Sequence, residues 1–415
     1  MSQPLDASPQ ASSKRPGAVK RHCMVVFAHY PGSETRVQRQ TELLLREGFE
    51  VDVLCLRDMG REAPEEAVNG ATVFRLAASR SYGRVSFARL LLEYFVFFLR
   101  AMVALIRLHP RRGYATVQVH NLPDFLIFAA WFPKVRGARL ILDLHDLMPE
   151  FFAARTGRPM SSWLVRLIAL QERLSCAFAD HVITVTETWR STLVERGTRP
   201  DKASVVMNVA DDRVFRRVAR ARPSPNGHGF HLFYHGAIVP RYGIDLLLEA
   251  VARLRNELPG LHLTIHGSGG GDFREQLAQL ARQRGIADQV RFSEKVVPMS
   301  ELPELISTAD VALVPNRRDI FTDGILPTKL LEYTAVGVPA IVARTPAIAA
   351  YFDDSMVQFF APGDVEDLAQ CIRTLYSDRR RLAELAQNTE KFNLQFNWQK
   401  VGAGYLALLQ SLAGR

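Results

Sequence analysis

Residues able to do chemistry recur directly after apolar, strand-like runs of this chain. In the first half they are His29, His120-Asn121, His145-Asp146, Glu187 and Asn208. In the second half they are His235-Gly236, His266-Gly267 and Pro315. Ligands of open α/β sheets bind outside the carboxyl ends of the strands. The two sets of positions therefore predict two polar rims facing each other across an interdomain cleft. In "LDLHDLMPE", His145 alternates with Asp143 and shares its face, while Asp146 begins the loop. Either His145 touches a substrate near its reacting centre, or Asp146 caps a turn and His145 packs.

A second group lies in "LPTKLLEYTAVGVPAI". Lys329 and Glu332 are its only charges, on a short helix between two apolar strands. In "HGAIVPRYGIDLLLEAV", Arg241 sits close to a helix N-terminus. Helix N-termini and Arg both favour anions, so Arg241 is a phosphate-binding candidate or a solvated surface residue. "HGSGGGDF" follows a strand and opens a helix, but its glycines run G-x-G-x-G. That spacing argues against a nicotinamide or flavin site and for a tight strand-to-helix turn. HxxxH and HExxH helices are absent, no Asp-x-Asp stands at a suitable strand end, and no metal site is expected.

The elements that must position these residues alternate almost throughout. "CMVVFA" reads as a strand, "TRVQRQTELLLRE" as a helix stopped by Gly48, and "EVDVLCL" as the next strand. The pattern predicts α/β architecture, with parallel sheets covered on both faces. "VFRRVARARPSPNGHGF" interrupts it, and the alternation then restarts. Expected boundaries are a disordered tail over 1–20, a first domain over 21–212, a linker over 213–229 and a second domain over 230–385. Helices over 386–415 are expected to cross back to the first domain.

The chain has 415 residues, 47% hydrophobic and 23% charged, which suits two or three globular domains. A formal charge of +9 favours anionic partners. Four scattered cysteines without CxxC spacing read as buried reduced thiols in a cytosolic protein. The apolar run 23–28 is too short for a signal-peptide core.

Taken together, "YPGSETRVQRQ", "HNLPDFLIFAA", "LDLHDLMPE", "ADHVITVTE", "VVMNVAD", "YHGAIVPRYGIDLLLEAV", "LPTKLLEYTAVGVPAIVA" and "FNWQKVGAGY" resemble the retaining glycosyltransferases of family 4. That family has the GT-B architecture of two Rossmann-like domains. The resemblance, of bacterial surface-polysaccharide type, implies a nucleotide diphosphate sugar donor held by the second domain. It implies a glycan or lipid-linked acceptor held by the first, and neither a metal nor another cofactor. Glu332 corresponds to the acid that binds the donor ribose, with Lys329 and the amides after Pro327 near the diphosphate. Arg241 resembles the basic residue that neutralises the leaving group, and His145 the histidine near the donor sugar. The candidate set is completed by Asp146 as a second catalytic residue and by Gly236, Gly267, Thr328 and Asp323 around the donor. His29, Arg36, His120 and Asn121 stand on the acceptor side. Retention is ascribed to front-face attack on an oxocarbenium-like centre.

Two positions depart from the family's pattern. Its paired glutamates are separated by seven residues, which places the first at Gly324, with Asp323 as the adjacent substitute. Its basic pair falls on Ala237 and Tyr242, so Lys329 is expected to carry more of the phosphate charge. Rival readings are a sugar-nucleotide epimerase on the same architecture and a non-catalytic partner subunit; a dehydrogenase is more distant. No nucleic-acid partner is expected, and the location is cytoplasmic or peripheral on the inner leaflet.

"FARLLLEYFVFFLRAMVALIRL", 87–108, is near the ~20 residues of a membrane span but carries Arg89, Glu93, Arg100 and Arg107 on one narrow face. It reads either as a helix buried on the sheet with one wet, charged stripe, or as an interfacial helix. In the second case Arg84, Arg111 and Arg112 would help attract anionic lipid over 84–112.

Overall fold

The structure, a computed structural model, describes residues 20–32, 34–58, 62–81, 86–217, 229–269, 271–293 and 297–414. The expected tail (all but Lys20), 218–228 of the expected linker, and Arg84 lie outside the described residues.

Eight strands form the first sheet: β1 (Arg21–Val25), β2 (Glu50–Leu56), β3 (Glu65–Val68), β4 (Ala71–Leu76), β5 (Thr116–His120), β6 (Arg139–Leu144), β7 (His181–Thr184) and β8 (Ala203–Val205). Their order is β3-β4-β2-β1-β5-β6-β7-β8. Six form the second: β9 (Phe230–His235), β10 (Leu261–His266), β11 (Val290–Phe292), β12 (Val311–Val314), β13 (Ala340–Ala343) and β14 (Gln358–Phe360), in the order β11-β10-β9-β12-β13-β14. Every pairing of the second sheet is parallel. The short β3, which the apolar pattern did not mark, runs antiparallel to its neighbour β4.

Continuous apolar runs such as "VALV" mark strands covered on both faces. Side chains alternate across β9 accordingly. Phe230, Leu232 and Tyr234 enter one core with the helices Ile244–Leu254 and Val365–Ser377. Phe233 enters the other core, with the helix Thr328–Val336. Strand order in this sheet reverses at β9 and β12, the switch point at which such sheets hold ligands.

By packing, the chain divides into two compact units. The first holds residues 1–118, 129–139 and 412–415; the second holds 119–128 and 140–411. All four cysteines are buried free thiols.

The helix Phe87–Arg112, in the first unit, corrects the expectation of a buried helix with one charged, wet stripe. Its buried line is Glu93, Phe97, Ala101, Leu105 and His109. Glu93 is 5% exposed and accepts hydrogen bonds from the Ser81 backbone N–H (3.0 Å) and hydroxyl (2.5 Å) and from Arg89 (3.3 Å). Phe87, Leu91, Leu92, Phe95, Leu99 and Val103 face solvent instead. A helix with apolar side chains around most of its surface does not encode which side meets the sheet. In the second unit, the helix Trp163–Phe178 likewise buries Val165, Glu172, Ser175 and Cys176 and exposes Trp163, Leu167, Leu170 and Leu174. Among the described residues no helix is long and apolar enough to cross a membrane.

Candidate donor and transfer site

Two glycines at strand ends bring backbone to backbone in the second sheet. A Cβ on Gly267 would fall 1.9 Å from the Gly236 carbonyl oxygen. At Gly236 (φ +123°), a Cβ would meet Lys329 Nζ at 3.2 Å. Lys329, in the first turn of Thr328–Val336, therefore lies against the Gly236 turn. Its ammonium donates to Tyr234 Oη (3.0 Å) and sits 4.2 and 4.4 Å from the ring centroids of Tyr234 and Tyr242. Burial pushes its pKa down to about 7, against the opposing pull of Glu332. A half-titrated amine at this place gains charge when an anion arrives. Thr328 is exposed at the start of the same helix.

Glu332, one turn on, is held by a relay. The backbone N–H of His235 donates to Tyr333 Oη at 3.0 Å, and the same oxygen lies 3.0 Å from His235 Nδ1. Burial holds the Tyr333 phenol well above its ordinary pKa, so it keeps its proton and donates a hydrogen bond to Nδ1. The imidazole proton then resides on Nε2, which donates to Glu332 Oε2 at 2.5 Å. Glu332 Oε1 has no hydrogen-bond partner among the described residues, and 17% of the side chain is exposed. This orients one carboxylate oxygen and leaves the other for a ligand.

Gly324 has a packing reason to be glycine. A Cβ there would fall 2.2–2.6 Å from atoms of the buried Trp189 ring. Thr186 Oγ1 donates to the Gly324 carbonyl (3.0 Å), fixing the approach. The neighbouring Asp323 carboxylate is engaged by Arg318 in a two-pronged ion pair. Gly324→Ala is therefore expected to cost about 1–3 kcal/mol by overpacking. In denaturant titrations the loss should shrink in a Trp189→Ala background, and fully additive losses would contradict the contact. Phe321 joins the neighbouring parts, with Phe151 at 5.4 Å, Trp189 at 6.3 Å and the Arg241 guanidinium at 5.3 Å.

At the ends of β5 and β6, within the second unit, His120, Asp143 and His145 converge. His120 Nδ1 lies 3.1 Å from His145 Nε2 and 3.2 Å from Asp143 Oδ2. His145 Nε2 lies 3.7 Å from that same oxygen. Asn121 braces the turn, accepting from the His145 backbone N–H (2.8 Å) and donating to the Asp146 carbonyl (2.6 Å) and to Asp124 (2.9 Å). Burial foremost, then the Asp146 charge, raises the Tyr242 pKa, which places Asp146 within electrostatic reach of the Arg241 turn. Asp146 thus acts on Tyr242, whose ring lies against Lys329. His29, half-buried after β1, and Arg36, buried in the helix Thr35–Arg46, belong to the first unit.

Spacing offered no signal for Trp189, the Tyr234–Tyr242 pair or the Tyr333 hydroxyl as members of this site. Nor did it mark Asn316, at the end of β12. Its side chain is wholly buried, and neither amide atom has a partner among the described residues. An amide left so costs on the order of 1–3 kcal/mol, and a ligand would recover it.

Residues 31–208 match the family "Glycosyl transferase 4-like domain", and residues 216–392 match "Glycosyl transferases group 1". The D-inositol 3-phosphate glycosyltransferase 2 of Catenulispora acidiphila is 29% identical over 66% of this chain and 65% of its own length. For two other curated relatives, from Escherichia coli and Mycolicibacterium smegmatis, the match spans about half their length. Sucrose-phosphate synthase from Thermosynechococcus elongatus superposes with a TM-score of 0.76 at 18% identity, over 95% of this chain and 99% of that one. HepE of Anabaena, in complex with UDP-glucose, superposes with a TM-score of 0.70 at 16% identity, over 94% and 99%. With two parallel-sheet α/β domains, each half matching a glycosyl transferase domain, the chain has the GT-B fold of the glycosyltransferases.

Proposed function

We propose that the protein is a retaining, metal-independent glycosyltransferase acting from a nucleotide diphosphate sugar onto a glycan or lipid-linked glycan. The observation that carries this reading is Glu332, with Oε2 held by His235 and Oε1 unpartnered, one turn from the buried Lys329. A carboxylate oxygen of this kind suits the paired hydroxyls of a ribose, and a buried ammonium suits a diphosphate. The orphaned amide of Asn316, at the switch point of the same sheet, also calls for a polar ligand. Lys329 and Arg241 supply positive charge for a departing nucleotide, a task that otherwise falls to a divalent ion. His145 would stand at the reacting sugar, and His29 and Arg36 on the acceptor side.

The test is a thermal-shift panel of nucleotide sugars, followed by a transfer assay with the anomeric product read by NMR and with EDTA present. Binding of one donor, transfer with retention and indifference to EDTA are expected, together with a large loss of turnover in His145→Ala. Failure to bind any nucleoside diphosphate would leave a non-catalytic subunit, and isomerised donor without acceptor would indicate an epimerase.

An anionic membrane surface is part of the proposal. On Phe87–Arg112, exposed Arg89, Arg100, Arg107 and Arg111 flank the exposed apolar stripe. Apolar side chains bordered by arginine suit the headgroup boundary of a bilayer. Cosedimentation with vesicles containing anionic lipid should fall when Leu92 and Phe95 are changed to Ser.

A further inference from the structure

We propose that His120, Asp143 and His145 form a binding site for a borderline divalent transition metal, with Zn(II) as the type ion. They are the one group of three or more metal-ligating side chains found together among the described residues. Three atoms make a triangle: His120 Nδ1, His145 Nε2 and Asp143 Oδ2, with edges of 3.1, 3.2 and 3.7 Å. A tetrahedral Zn(II) with bonds of about 2.0–2.1 Å places its ligand atoms about 3.3 Å apart. The edges bracket that value.

A proton on His120 Nδ1 serves the two shorter edges, and the third, at 3.7 Å, is longer than a hydrogen bond. A cation at the centre satisfies all three atoms at once. Two neutral imidazoles and a carboxylate form a ligand set suited to Zn(II) and its neighbours, with the fourth position open. The Asp143 and His120 side chains are wholly buried while His145 retains 18% exposure, so the open position would lie on the His145 side. The site is also braced without using its ligand atoms. Asn121 holds the His145 backbone and the Asp146 carbonyl, and is itself held by Asp124.

A consequence for catalysis follows, and it rests on the glycosyl-transfer reading. A dication bound to His145 adds positive charge beside a centre that itself becomes positive, which raises the barrier. Zn(II) is therefore an inhibitor here, compatible with a reaction that needs no metal.

The metal-free full-length chain is titrated with Zn(II) and with Co(II), following heat and the visible bands of tetrahedral cobalt. Wild type should bind one equivalent with those bands. Asp143→Asn and His120→Ala should each weaken binding by at least the roughly 10–100-fold that loss of a metal ligand's hydrogen-bond support costs. His145→Gln, changed at the most exposed ligand, provides a third variant if either buried change unfolds the chain by circular dichroism. No bound metal in folded wild type, or equal binding in the folded variants, overturns the site. In the transfer assay Zn(II) should lower turnover at least tenfold, with recovery on EDTA. Metal bound at the site with turnover unchanged keeps the site and overturns the inhibition. Because the titrations need no turnover, they decide the site even if the transfer reading fails.

Discussion

Glu332→Ala is expected to lower kcat/KM for sugar transfer by about 100–1000-fold while the fold is retained. The carboxylate is oriented by His235, whose tautomer is set by Tyr333, so a ribose diol would meet a preplaced acceptor. Hydrogen bonds to a charged group contribute about 1.5–3 kcal/mol each, and about 1.4 kcal/mol is a factor of ten. Two such bonds at the lower end, about 1.5–2 kcal/mol each, account for the expected loss. Removing the carboxylate also leaves the His235 Nε2–H without its acceptor, so a modest drop in thermal midpoint should accompany the loss. Glu332→Gln, whose amide oxygen still accepts from His235, should retain more activity than the alanine variant. The check is steady-state kinetics with far-ultraviolet circular dichroism on the same samples. Wild-type kcat/KM in Glu332→Ala would remove the ribose role.

The second large effect is expected at Lys329. Lys329→Met should weaken nucleoside diphosphate binding by about 10–100-fold at pH 6.5, the worth of one charge-assisted hydrogen bond. The pH dependence is the sharper signature. In the free protein burial holds the amine down to about pH 7, so it is charged below that value and neutral above it. A diphosphate favours the charged form and raises the pKa in the complex. Binding then takes up a proton above pH 7, and affinity falls by up to about tenfold per pH unit from there upward. Below pH 7 this group contributes no slope. Calorimetry across pH 6–9 should show the decline in wild type and its absence in Lys329→Met. The same decline in both proteins would place the titrating group elsewhere.

Much of the architecture was legible before any packing was known. The strands at 21–25, 50–56, 261–266 and 311–314 follow from uninterrupted apolar runs, and their helices from amphipathic periodicity. Short pieces such as β3, "EEAV", escaped, because four residues with two glutamates carry no apolar pattern. Phe87–Arg112 was legible as a helix but not in its orientation. Its buried line includes Glu93, hydrogen-bonded to Ser81, and its apolar stripe faces outward.

What the sequence by itself determined is the local grammar: the α/β alternation, and which side chains stand where each strand ends. These follow from a two-residue strand period and a 3.6-residue helix period, which act over a few residues. Only the tertiary structure decided which of those side chains meet. Glu332 finds His235 across 97 positions, and Gly324 has Thr186 bonded to its carbonyl across 138. Trp189 takes the space next to Gly324 where a glutamate side chain would begin. The physical reason is that strand order and tertiary packing, not chain distance, set which loops meet, and loops that meet compete for one volume.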